Sequence, residues 1–143
     1  MIPSATTIEV RVERTIPALP EELFNAWLDP EVPGNPWNMA EKLLLNSQVD
    51  GLFFWHVRGI SHYGRFTQIE KPARIQHTWV SPNTLGLEST VTVTFQKRGE
   101  DTLMTLTHSG LPDTEGGREH EKGWNYFLDI FPNHFGSRES KED

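Results

Sequence analysis

The stretch that most constrains this chain is its last third, TLTHSGLPDTEGGREHEKGWNYFLDIFPNHF, residues 105–135. It opens with strand alternation, breaks at Gly110-Leu111-Pro112, and continues as a helix with its aromatics on one side. His120, Trp124, Phe127, Leu128, Phe131 and Phe135 recur at three-to-four spacing, which is one helical stripe. Asp113 or Thr114 can cap this helix, predicted from 114 or 115 to about 131, where Pro132 kinks or ends it. A helix this apolar on one face must bury that face, and a strand leading straight into it suggests an antiparallel sheet as the partner.

The upstream sequence supplies such a sheet. Residues 7–15 alternate, with Ile8, Val10 and Val12 against Glu9, Arg11 and Glu13. Pro20 followed by Glu21 and Glu22 is a helix start, and Leu23, Phe24 and Trp27 give that helix an apolar face. Asp29-Pro30 stops it, and residues 31–38 are expected to form an irregular turn or a second short helix. Further strands are predicted at 43–49, 52–57, 62–69, 74–80, 88–96 and 102–109. Turns are expected at Arg58-Gly59, Lys71-Pro72 and Arg98-Gly99-Glu100-Asp101, with a loop over 81–86. Hairpin-length connections make the sheet antiparallel. The order is α+β: about seven strands around one long C-terminal helix, with one or two short helices after the first strand. Residues 1–136 are expected to form a single domain and 137–143 a flexible polar tail.

Composition narrows the function classes. A length of 143 residues suits one domain with a real core. The absence of cysteine removes disulfides, thiolate nucleophiles and Cys-based zinc sites. A formal charge of −7 argues against nucleic acid as the partner. The first residues, MIPSATTIEV, lack a charged segment followed by an apolar one, and no apolar run approaches a membrane span. The expectation is a cytoplasmic protein with no membrane partner.

Strand parity gives a candidate interior. Phe53, Trp55, His62, Phe66, His77, Trp79, Met104, Leu106 and His108 share the sheet face that would meet His120, Trp124, Phe127 and Phe131 of the helix. Trp37, in the irregular segment, is a candidate lining residue, and either that segment or the 81–86 loop is expected to gate entry at one end of the helix. A single bulge would reverse any of these strand assignments. The histidines could orient a polar ligand group, act as acid or base, or sit buried against Ser, Thr or Tyr partners. Neither a helical i,i+4 pair nor an HExxH pattern supports a metal, so no metal or cofactor is expected. Ser109 next to His108 is no nucleophile–base pair, because neighbours in a strand face opposite ways. Gly116-Gly117 has no phosphate-loop spacing and suggests a softened helix start or close packing. Leu52 and Phe54, expected outside, could form a small dimer patch, giving a monomer or weak homodimer.

The segments ERTIPALPEELFNAWLDPE, VDGLFFWHV, HYGRFTQIEKPARIQHTWV, ESTVTVTFQ, TLTHSGLPD and HEKGW occur in an order that resembles the Bet v 1-like (START-like, SRPBCC) helix-grip superfamily. Within it, the resemblance is to the branch related to the C-terminal domain of the activator of Hsp90 ATPase. Asp50 in VDG departs from that branch, where many relatives carry two glycines. The co-chaperone has an additional N-terminal domain that these residues do not include, so the resemblance implies the stand-alone bacterial type. It implies a hydrophobic cavity between helix and sheet, and no settled activity. Three readings follow: a binding protein for a small hydrophobic or aromatic molecule, a cyclase- or dehydratase-like enzyme on a polyketide-type or aromatic compound, or a chaperone-associated interaction module. No strong nucleophile motif supports the enzyme.

Overall fold

The computed structural model describes residues 6–135; the polar tail expected at 137–143 lies outside them. The element order is β1 (Thr7–Ile16), α1 (Pro20–Trp27), β2 (Lys42–Leu45), β3 (Leu52–Val57), β4 (Ile60–Glu70), β5 (Arg74–Trp79), β6 (Ser89–Arg98), β7 (Asp101–Pro112) and α2 (Glu115–Ile130). Short 3₁₀ turns occupy Trp37–Met39, Pro82–Thr84 and Phe131–His134. All pairings are antiparallel, in the order β1-β7-β6-β5-β4-β3-β2. This is the expected α+β helix-grip architecture, a seven-stranded sheet with α2 across one face.

The inward face follows the alternation. Val10, Val12 and Ile16 of β1, Ile75 and Trp79 of β5, Val91, Val93 and Phe95 of β6, and Met104 and Leu106 of β7 are buried. Arg14 shares the parity of Val12 and Ile16 and reaches α2, donating to Asn125 Oδ1 at 3.0 Å and to Asp129 Oδ1 at 2.6 Å. α1 seals the far end, where Trp27 meets Phe131 at 5.1 Å and Phe24 meets Phe95 at 6.0 Å between ring centroids. Asn35, fully buried, holds the irregular segment by donating to Ala26 O and Asp29 O, both at 2.8 Å.

Two strands depart furthest from the sequence-based boundaries. The strand predicted at 43–49 ends at Leu45, because the chain turns early: Gly51 N donates to Gln48 O at 2.7 Å and Asp50 takes φ 68°. Asp50 also pairs with Arg65 at 2.8 Å across the hairpin. The strand predicted to stop at 109 instead continues to Pro112. Gly110, at φ 76°, absorbs a bulge opposite β1, where Ile8 pairs with Leu111 and Val10 with His108. The extra residue restores Leu111 to the interior, where it is fully buried, before the chain enters α2. Thr114 then caps α2, its hydroxyl accepting from Gly117 N at 3.0 Å.

Candidate functional site

Over residues 116–127, α2 does not close completely onto β3, β4 and β5. A cavity of about 140 Å³ remains there, walled by Trp55, Trp79, Trp124 and Phe127, with His62 and His120 among them and Asn83, Gly116, Glu119 and Gly123 around its mouth. It adjoins a groove of about 430 Å³ that adds Met39, Val57, Arg58, Ile60, Lys122 and Tyr126. Of the residues proposed from strand and helix parity, Trp55, His62, Trp79, His120, Trp124 and Phe127 meet at this cavity. Phe53, Phe66, His77 and Trp37 instead form one aromatic cluster: Trp37 lies 5.1 Å from Phe53 and 5.8 Å from His77, and Phe66 lies 5.3 Å from His77. Met104, Leu106 and Phe131 are packed in the core with no exposed surface. His108 stands one layer behind the wall, 5.8 Å from the Trp79 ring and 5.0 Å from His120.

The hydrogen bonds fix what each histidine can do. Trp124 Nε1 can only donate, and it donates to His108 Nδ1 at 3.0 Å. His108 therefore carries its proton on Nε2 and donates to Ser89 Oγ at 2.7 Å, while Ser89 donates onward to Trp79 O at 2.7 Å. The chain Trp124–His108–Ser89–Trp79 is fully satisfied, and its direction is the opposite of a base activating a serine. Burial, with His120 and His77 nearby, pushes His108 well below its usual pKa. This is a neutral structural imidazole tying α2 to the sheet.

His62 and His120 have the other tautomer. His62 Nδ1 lies 3.3 Å from Trp55 O, and His120 Nδ1 lies 3.0 Å from Gly116 O and 3.1 Å from Gly117 O. A carbonyl can only accept, so each Nδ1 bears the hydrogen and each Nε2 keeps a free lone pair. Burial lowers His62 to about 4 and lowers His120 too, so both are neutral acceptors at pH 7. The indole N–H groups of Trp55 and Trp79, which wall the cavity, have no partner among the described residues. The same holds for the indole of Trp37, in the packed cluster away from the cavity. Among the described residues, no group of three or more His, Asp or Glu is placed to hold a metal ion.

Three features of the site escaped the sequence reading. Ser89 shares the parity of Val91, Val93 and Phe95 and so belonged to the inward stripe; as a serine there, it was the available signal for a buried polar network. Asn83 comes from the 81–86 loop, expected only as an alternative gate, and no periodicity singles out this side chain for the lining. Gly123 sits inside α2 on the cavity side, and a Cβ added there would meet nothing within 4 Å. Gly123→Ala is therefore expected to raise stability by ~1 kcal/mol in urea denaturation, since only helix propensity changes.

A curved antiparallel sheet gripping a C-terminal helix, with an aromatic cavity between them, defines a helix-grip domain of a ligand-binding type. The chain belongs to the family described as activator of Hsp90 ATPase homolog 1-like protein, which matches residues 17–136. No curated protein matches it in sequence. Among solved structures, an HSP90 activator from Plasmodium falciparum is 26% identical, with 85% of this chain and 91% of that one covered and a TM-score of 0.71. CalU16 from Micromonospora echinospora is 21% identical over 98% and 90% of the two chains, with a TM-score of 0.69. DynU16, from the dynemicin biosynthetic locus, is 22% identical over 85% of this chain and 44% of its own, with a TM-score of 0.70. These last two likenesses concern the fold. No helix among the described residues is long and apolar enough to cross a membrane.

Proposed function

We propose that this protein binds a small aromatic molecule, held between α2 and the β3–β5 part of the sheet. The observation that carries the reading is the cavity itself: three tryptophans and a phenylalanine surround two imidazoles whose free nitrogens are both acceptors. A cavity of about 150 Å³ is enough for benzene, so the 140 Å³ here suits one ring. Apolar burial supplies the affinity, and a hydroxyl or N–H on the ligand satisfies His62 or His120.

The enzyme reading is weaker on the same geometry. His62, near 4, is a poor general base at neutral pH, and His108 is occupied on both nitrogens. A chaperone-associated role has one observation of its own. The outward face around β2–β4 leaves Leu44 70%, Leu52 64% and Tyr63 50% exposed, beside half-buried Phe54. The same patch is where a weak homodimer would form.

Native mass spectrometry of the purified protein, followed by denaturing extraction, tests the binding reading and reports the oligomeric state. A co-purifying aromatic compound that is lost in His62→Phe supports it. If the compound survives both His62→Phe and Trp79→Leu, it is held elsewhere and the proposed site is wrong.

A further inference from the structure

We infer that the ligand is a two-part molecule, with one ring in the inner cavity and a larger body in the outer groove that carries an anionic group towards Arg58 and Lys122. This rests on the binding reading above and specifies the ligand. The inner space of 140 Å³ is too small for more than one ring, yet it opens into a groove of 430 Å³. The two share Trp55, His62, Asn83, Glu119, Gly123 and Phe127, so a single molecule can occupy both.

The two compartments differ in chemistry. The inner one contains no cation at neutral pH, because burial keeps His62 and His120 uncharged. The outer one brings apolar Val57, Ile60 and Tyr126 together with Arg58 and Lys122, against Glu119 as its one acid. Two cations to one acid is a local excess of positive charge on a chain of formal charge −7. Lys122 lies 3.5 Å from Glu119 and is 82% exposed, and Arg58 makes no ion pair among the described residues. A carboxylate or sulfonate on the outer body meets an unneutralised guanidinium there.

Gly123 joins the compartments. It lies inside α2, where glycine is disfavoured, and no packing requires it, since a Cβ would meet only open space. What its missing side chain provides is continuity between ring site and groove. Gly123 is thus a specificity-determining position, and a large side chain there would partition the site.

Two dyes with one skeleton test this directly. 1-Anilinonaphthalene-8-sulfonate and N-phenyl-1-naphthylamine differ by the sulfonate, and both report binding by fluorescence. At low salt the sulfonate is expected to bind about fivefold tighter, the size of one or two partly exposed ion pairs. Arg58→Gln with Lys122→Gln should bring the two affinities together while leaving the neutral dye unchanged. Gly123→Leu should weaken both dyes at least about tenfold without lowering the thermal midpoint. Equal affinities in the parent protein, or a preference that survives loss of both cations, would overturn the anionic outer group and leave the binding reading standing. Dye affinities untouched by both Gly123→Leu and His62→Phe would overturn the two together.

Discussion

Acidification from pH 7 to pH 4.5 is expected to unfold this protein or bring it close to unfolding. His62 and His77 are buried and uncharged, and burial lowers each from 6.5 to about 4. The unfolded chain takes up those protons first, so between these values it binds more protons than the folded state. Stability is complete above pH 6.5 and falls as pH drops towards 4. At ~1.4 kcal/mol per pKa unit, each of the two accounts for on the order of 3 kcal/mol. His108 and His120 are also lowered, chiefly by burial, and act in the same direction. Against a total stability of roughly 5–15 kcal/mol for a domain of this kind, the sum is decisive.

The measurement is urea denaturation at intervals from pH 7.5 to pH 4.5. His77→Phe gives the control, because His77 stands among Trp37, Phe53, Phe66 and Trp79 rings that would accept another ring. Its variant should lose the Thr78 carbonyl contact and be somewhat weaker at pH 7.5. It should also show a shallower decline with acid, by up to about one proton's worth of slope, ~1.4 kcal/mol per pH unit. An unchanged slope would show that His77 does not titrate with folding.

The sheet and the gripping helix were legible because their periods are clean. β6 alternates threonine with valine, and α2 repeats its aromatics every three to four residues, so each declares its buried face without help. The interior was harder. Parity placed Phe53, Trp55, His77 and Trp79 on one face, and all of them are buried, but parity cannot tell a packed ring from a cavity wall. That distinction depends on how far α2 stands off the sheet at each layer. Trp37 fills the β3–β5 layer at Phe53 and His77, while Gly123 leaves the layer at Trp55 and His62 open. The continuation of β7 past Ser109 was equally illegible, because a glycine in the left-handed region can end a strand or bulge it, and only pairing with β1 decides. The direction of the His108 bonds likewise requires knowing that a tryptophan donor, and not a carbonyl, faces Nδ1.

The second large effect belongs to that histidine. His108→Ala is expected to cost at least about 3 kcal/mol, a large share of the stability of an ordinary domain. Two losses combine. Removing a fully buried ring leaves a cavity, worth ~2–5 kcal/mol for large-to-small changes in a core. It also strands the Trp124 indole N–H without an acceptor, at ~1–3 kcal/mol, while Ser89 keeps its bond to Trp79 O. His108→Gln can present an acceptor and a donor from one amide and should recover part of the loss. The double variant with Trp124→Phe separates the contributions: once the indole N–H is gone, losing its acceptor costs less, so the two changes should be subadditive by about 1 kcal/mol or more. Urea denaturation of the four proteins closes this cycle. If His108→Ala instead leaves stability unchanged and only ligand affinity falls, His108 is a recognition group, and the bond between α2 and the sheet contributes nothing to the fold.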